Sequence, residues 1–123
     1  MYELKVISKF AAAHQLKMVT EKCENLHGHN WKVEVYVTGE DLNKYGVVMD
    51  FGEIKKHLSA IMDMLDHKFL NEIESFKNSN PSSEIIAKFI ADELQLRFSD
   101  PLISVSRVSV WESDDACATY IVD

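Results

Sequence analysis

Cysteine, proline and glycine are scarce: two, two and four residues in a chain of 123. Two cysteines, Cys23 and Cys117, cannot build a disulfide framework, so free thiols and a cytoplasmic setting are expected. So little Pro and Gly, beside 46% apolar and 10% aromatic residues, argues against disorder and for a real core. Basic residues are the minority, 13 against 20 acidic ones, and the net charge of −7 speaks against non-specific nucleic-acid binding. No apolar run has the length of a membrane span. The opening "MYELKVISKF" lacks a signal-peptide pattern. There is no internal repeat, and the length suits one domain over residues 1–123.

Periodicity supplies the architecture. In "YELKVISKFAAA" (2–13), Tyr2, Leu4, Val6 and Phe10 share one parity against Glu3, Lys5 and Lys9, the pattern of a half-buried strand. Trp31, Val33, Val35 and Val37 alternate with Lys32, Glu34, Tyr36 and Thr38, so a second strand is expected to begin just after His29. Phe51, Ile54, Leu58, Ile61 and Leu65 then follow a helical period, with Asp50 as N-cap. A second helix is expected after Asn80, with Pro81 in its first turn and Ile86, Phe89, Ile90 and Leu94 on its apolar face. "VSRVSVWE" and "CATYIV" read as two closing strands. The expectation is an α+β domain of order ββααββ: a four-stranded, mainly antiparallel sheet with both helices on one face. The other face would be bare, and if apolar would favour oligomerisation.

The segment "CENLHGHNWKVEVYV" (23–37) carries groups that folding does not require. In an extended segment His27 and His29 point to the same face and can share one metal ion. Catalytic zinc takes three protein ligands and keeps one position open. His14 has the parity of Val6 and Phe10 and ends the first strand, so a hairpin would bring it to the other two. The alternative is a polar loop. The absence of a CxxC pair speaks against a structural zinc site. His57 lies beside the apolar stripe of the first helix and reads as a boundary residue.

Cys23 stands four residues before His27, where a nearby cation would favour the thiolate, a base or nucleophile; a lone Cys can also be a small buried hydrophobe. Cys117 follows Asp114 and Asp115, which work against a thiolate, and is expected to be structural. Asp66 next to His67 can fix that imidazole's tautomer, although alone the pair reads as a solvated helix end. Glu112 shares the parity of Val108 and Val110. It could accept two hydrogen bonds from a flat, amide-like heterocycle, or reach water at a strand end.

Six blocks in order, "FAAAH" (10–14), "CENLHGHNWKVEV" (23–35), "VVMDFGEIK" (47–55), "LDHKFLN" (65–71), "NPSSEIIA" (80–87) and "VSVWESDDACATY" (108–120), make the chain resemble the 6-pyruvoyltetrahydropterin synthase / 6-carboxytetrahydropterin synthase family, built on the T-fold. The resemblance implies a zinc ion on His14, His27 and His29, and an acid/base thiol at Cys23 activated through Asp66 and His67. It implies a pterin-anchoring carboxylate at Glu112, with Ser82, Ser83 and Glu84 near the ring, where the family usually has Thr in the Ser positions. It further implies a homohexamer of two stacked trimers with active sites at subunit boundaries, and 7,8-dihydroneopterin triphosphate as substrate.

The C-x3-HGH spacing is similar to that of bacterial 6-carboxytetrahydropterin synthases of the queuosine pathway; animal-type pyruvoyl enzymes have a longer gap. Glu24 also creates E-x2-HGH, the pattern of a folate-branch group that releases 6-hydroxymethyl-7,8-dihydropterin, and double motifs are associated with enzymes serving both branches. A pterin- or metal-binding protein without catalysis would have no need of Cys23.

Overall fold

Alternating apolar residues carry Tyr2–His14 into β1 and His27–Gly39 into β2, and the two pair antiparallel without a slip from Tyr2 opposite Gly39 to His14 opposite His27. The structure is a computed structural model and describes residues 1–17 and 26–123. The second strand therefore starts earlier than expected: the H-G-H triplet lies inside β2, not ahead of it. The β-branched run that follows, and the ladder to the end of β1, hold it extended.

Helix α1 (Phe51–Leu65) starts where the Asp50 carboxylate accepts from the Gly52 amide at 2.9 Å. It buries Ile54, Leu58, Ile61 and Leu65 of the stripe expected from their spacing, whereas Phe51, the first residue of the helix, is exposed. Lys68–Phe69 then forms β3, parallel to β1 with Ala12 opposite Lys68. Helix α2 (Ser83–Arg97) follows two short 3-10 turns. Pro81 is not in its first turn as expected. Ser82 is the N-cap, its hydroxyl accepting from the Ile85 amide at 3.3 Å, and Pro81 is buried just outside the helix. The chain ends in β4 (Ser104–Ser113) and β5 (Ala116–Ile121), antiparallel neighbours.

The sheet has five strands in the order β3-β1-β2-β4-β5, one more than expected. The extra strand is two residues long, too short to show alternation, and owes its place to the free edge of β1. Both helices pack on one face. Trp31, Val33, Val35, Val108 and Val110 are fully buried beneath them. The opposite face is largely polar: Arg107 pairs with Glu3 at 3.1 Å and Lys5 with Glu34 at 3.3 Å. Ile7 and Ile121 are exposed among these ion pairs. His57 is half-buried against Phe98, the boundary position expected of it. No helix among the described residues is long and apolar enough to cross a membrane.

Candidate active site

The hairpin register builds the centre of the site. His14 and His27 are directly opposite one another at the ends of β1 and β2, and His29 lies one pleat further along the same face, opposite the small Ala12. Trp31, fully buried, forms the floor: its ring meets His14 and His29 edge-on, with centroids 4.9 and 5.1 Å away, and stacks with Phe10 at 5.7 Å. The indole N–H donates to the Ala12 carbonyl at 3.2 Å, so the floor itself is anchored.

The imidazoles are oriented as ligands. His14 Nδ1 lies 2.8 Å from the Pro81 carbonyl, which can only accept, so Nδ1 carries the proton and Nε2 presents its lone pair. That Nε2 is 3.0 Å from His27 Nε2. A tetrahedral ion with bonds of about 2.0–2.1 Å holds its ligand atoms roughly 3.3 Å apart, a similar spacing. Burial pushes the His29 imidazole below its ordinary pKa, a shift that Glu112 opposes and His27 and His14 reinforce. His29 Nε2 is buried without a hydrogen bond, although Glu112 Oε1 is 2.8 Å away. A buried ring nitrogen converging with two others and a carboxylate oxygen, its hydrogen bonding unmet, is the arrangement a cation satisfies. These residues therefore fit a metal ion.

Glu112 enters the same cluster. Its Oε1 lies 3.2, 3.5 and 2.8 Å from the Nε2 atoms of His14, His27 and His29, and all four donors lie within 4.8 Å of one another. Parity alone left Glu112 open to a flat heterocycle or to water at a strand end; the fold instead sets its carboxylate against the three imidazoles. On its other side is an open depression of about 210 Å³, lined by Ser83, Glu84, Glu112 and the start of β5 at Ala116, Cys117 and Ala118. Ser82, half-buried and occupied as the α2 N-cap, is adjacent in sequence but does not line it. Cys117 is exposed here, not the structural thiol expected. A larger hollow of about 610 Å³ lies beyond the Gly39 end of β2, among Val47, Phe51, Arg97 and Phe98. It holds none of the histidines, so the site is defined by its donors and not by cavity size.

Asp66 and His67 do face each other, at 2.9 Å between Oδ2 and Nδ1. Asp66 caps α1 and also accepts from the Ala11 amide of β1 at 2.8 Å; that bond, reinforced by His67, holds its carboxyl below the usual range. The His67 amide donates to the Ala11 carbonyl at 2.6 Å, and the residue sits at φ 57°, in the left-handed region uncommon outside glycine. Its side chain is 82% exposed. No hydrogen bond or ion pair among the described residues joins this dyad to the histidine cluster. Cys23 and Glu24 lie outside the described residues.

The Pro81 carbonyl was not foreseeable from side-chain patterns, because a backbone acceptor carries no residue signature. Asn71 was equally missed. Its side chain accepts from the Gln15 amide at 2.9 Å and donates to the Gln15 carbonyl at 2.7 Å, a two-point imitation of a strand just beyond His14.

The family described as 6-pyruvoyl tetrahydropterin synthase matches residues 3–122. A dihydroneopterin monophosphate aldolase from Pyrococcus furiosus is 37% identical over 108 residues, covering 88% of this chain and 87% of its own. A 6-carboxy-5,6,7,8-tetrahydropterin synthase from Synechocystis is 41% identical over 91 residues, 70% of this chain and 69% of its own. The structure of the Caenorhabditis elegans 6-pyruvoyl tetrahydropterin synthase superposes with a TM-score of 0.87 at 27% identity, covering 99% of this chain and 96% of that one. The chain belongs to the 6-pyruvoyl tetrahydropterin synthase family, a family of lyases acting on pterins.

Proposed function

We propose that this enzyme is a zinc-dependent 6-carboxy-5,6,7,8-tetrahydropterin synthase of the queuosine pathway. It converts 7,8-dihydroneopterin triphosphate to 6-carboxytetrahydropterin and releases acetaldehyde and triphosphate. The observation that carries the proposal is the convergence of three imidazole nitrogens, one of them buried without a hydrogen bond, beside a carboxylate-walled depression. The similarity to the Synechocystis synthase, together with the C-x3-HGH spacing, supports the 6-carboxy product.

In this proposal His14, His27 and His29 hold zinc, which supplies Lewis acidity toward the vicinal hydroxyls of the substrate side chain. Pro81 fixes the His14 tautomer that binding needs. Glu112 accepts hydrogen bonds from the pterin ring and holds it still, with Ser82, Ser83 and Glu84 around the ring. The Cys23 thiolate removes and returns side-chain protons, and His67, oriented by Asp66, is the second acid/base group. The separation of that dyad from the cluster within one chain suits a homohexamer of two trimers in which a neighbouring subunit completes the site. The setting proposed is the cytoplasm, where the thiol stays reduced.

A second proposal is favoured by the aldolase relative and by Glu24 beside Cys23: cleavage of the same side chain to 6-hydroxymethyl-7,8-dihydropterin, alone or as a second activity. Mass spectrometry of the products formed from 7,8-dihydroneopterin triphosphate separates the two. 6-Carboxytetrahydropterin is expected; 6-hydroxymethyl-7,8-dihydropterin alone, or a 6-pyruvoyl product, overturns the first proposal. 6-Carboxytetrahydropterin as the only product, unchanged in Glu24→Gln, overturns the second. Cys23→Ala is expected to fold and retain zinc but to lose turnover, and full activity in that variant removes the acid/base role.

A further inference from the structure

Glu34 is the one buried carboxylate among the described residues, at 8% exposure, and the proposed chemistry gives it no part. It projects from β2 onto the sheet face away from the helices. Its Oε1 accepts from the Trp111 indole at 2.6 Å, and its Oε2 faces the Lys5 ammonium at 3.3 Å. A buried carboxylate is tolerated only when its oxygens are matched, so this contact to the indole is a short, charge-assisted one. The Lys32 ammonium, 4.9 Å from the ring centroid, covers Trp111 from another side.

Trp111 is the residue before Glu112, and the backbone between them is weakly held by the sheet. The ladder from β2 to β4 ends at the pair Lys32–Trp111. On the other edge, Trp111 pairs with Cys117 but Ser113 pairs with Ala116, which leaves Glu112 as the extra residue of a β-bulge. A bulge re-aims a side chain, and nothing in either ladder determines where this one points. Alternation does: Trp111 tied to one face sends Glu112 to the other, where its Oε1 meets His14 and His29.

We propose that Glu34, acting through the Trp111 indole, is a positioning residue that aims Glu112 at the pterin ring. The proposal rests on Glu112 as ring anchor, and the experiment separates the two. Neopterin binding is measured by calorimetry on the intact enzyme, with zinc content determined by elemental analysis. Trp111→Phe keeps the ring and removes only the N–H. Trp111→Phe and Glu34→Ala are each expected to weaken neopterin about tenfold with zinc unchanged, the loss of one hydrogen bond to a charged group. The double variant should bind no more weakly than either single one, because both break the same contact. Glu34→Gln, which retains an oxygen acceptor, should recover most of the affinity, and KM should rise while kcat changes little. Weakened binding in Glu112→Gln with wild-type binding in Trp111→Phe overturns the positioning role and leaves Glu112 as anchor. Additive losses in the double variant overturn it as well. Unchanged binding in Glu112→Gln overturns the anchor itself.

Discussion

The two faces of this sheet are made by alternate residues of the same strands, yet they are held by different physics. On the helix-covered face, Trp31, Val33 and Val35 are fully buried, and the histidines continue that face at one end of the sheet. On the bare face, Glu34 is matched to Trp111 and Lys5, and Arg107 to Glu3 and the Tyr36 ring, 3.9 Å from its centroid. Apolar burial is non-directional and fills space; it sets the platform on which His14 and His29 rest. The polar face is directional. Its contacts stabilise little where exposed, but where buried they specify a geometry. The histidine cluster therefore rests on packing, and the proposed aim of Glu112 rests on a hydrogen bond across the other face.

Four variants break or sharpen that contrast. The largest effect is expected at the end of the packed face: His14→Ala should lower zinc content and reduce turnover by roughly a thousandfold or more, since several kcal/mol of Lewis-acid stabilisation are lost. Undiminished zinc by elemental analysis would contradict the three-histidine site. Next, Trp31→Ala should destabilise by about 3–5 kcal/mol in urea unfolding, through lost burial and the cavity left behind. A cost no larger than that of a surface substitution would show that the floor does not carry the hairpin.

A smaller effect belongs to Glu34. Burial works to raise its carboxyl pKa, but the Trp111 and Lys5 hydrogen bonds outweigh burial and the net shift is downward. A lowered folded pKa means a contribution fully present above the unfolded value, about 4.3, and lost as pH falls through the folded one. Glu34→Gln should therefore flatten the acid limb of a Tm-against-pH curve and leave the slope near neutrality alone. An acid limb identical to wild type would refute the linkage. The smallest effect is expected for Arg107→Ala on the exposed part of that face, a slight loss of stability that diminishes with added salt. A salt-independent loss as large as that of Trp31→Ala would show that the two faces are not held differently.

Much of this arrangement was legible in the residues. Strict alternation gave the parity that brings His14 to His27 and His29, and the 3.6-residue period identified the buried stripe of α1. The short strand β3 was not legible, because two residues carry no period. Nor was the bare face's character, since Glu34 is buried there only because Trp111 folds across β2 to meet it. The start of β2 at His27 was missed because Gly28 and Asn30 are poor strand formers that the ladder overrides.

The sequence by itself determined which residues share a face, because side-chain direction follows from backbone period alone. That is enough to group three histidines and to separate Trp111 from Glu112. Only the tertiary structure decided what lies opposite them: the Pro81 carbonyl on His14, the bulge at Glu112 and the Glu34 carboxylate on Trp111. Each of these joins residues more than 60 positions apart, or depends on a slip between two strands. Such contacts are set by the global packing of helices and sheet, which no local pattern encodes.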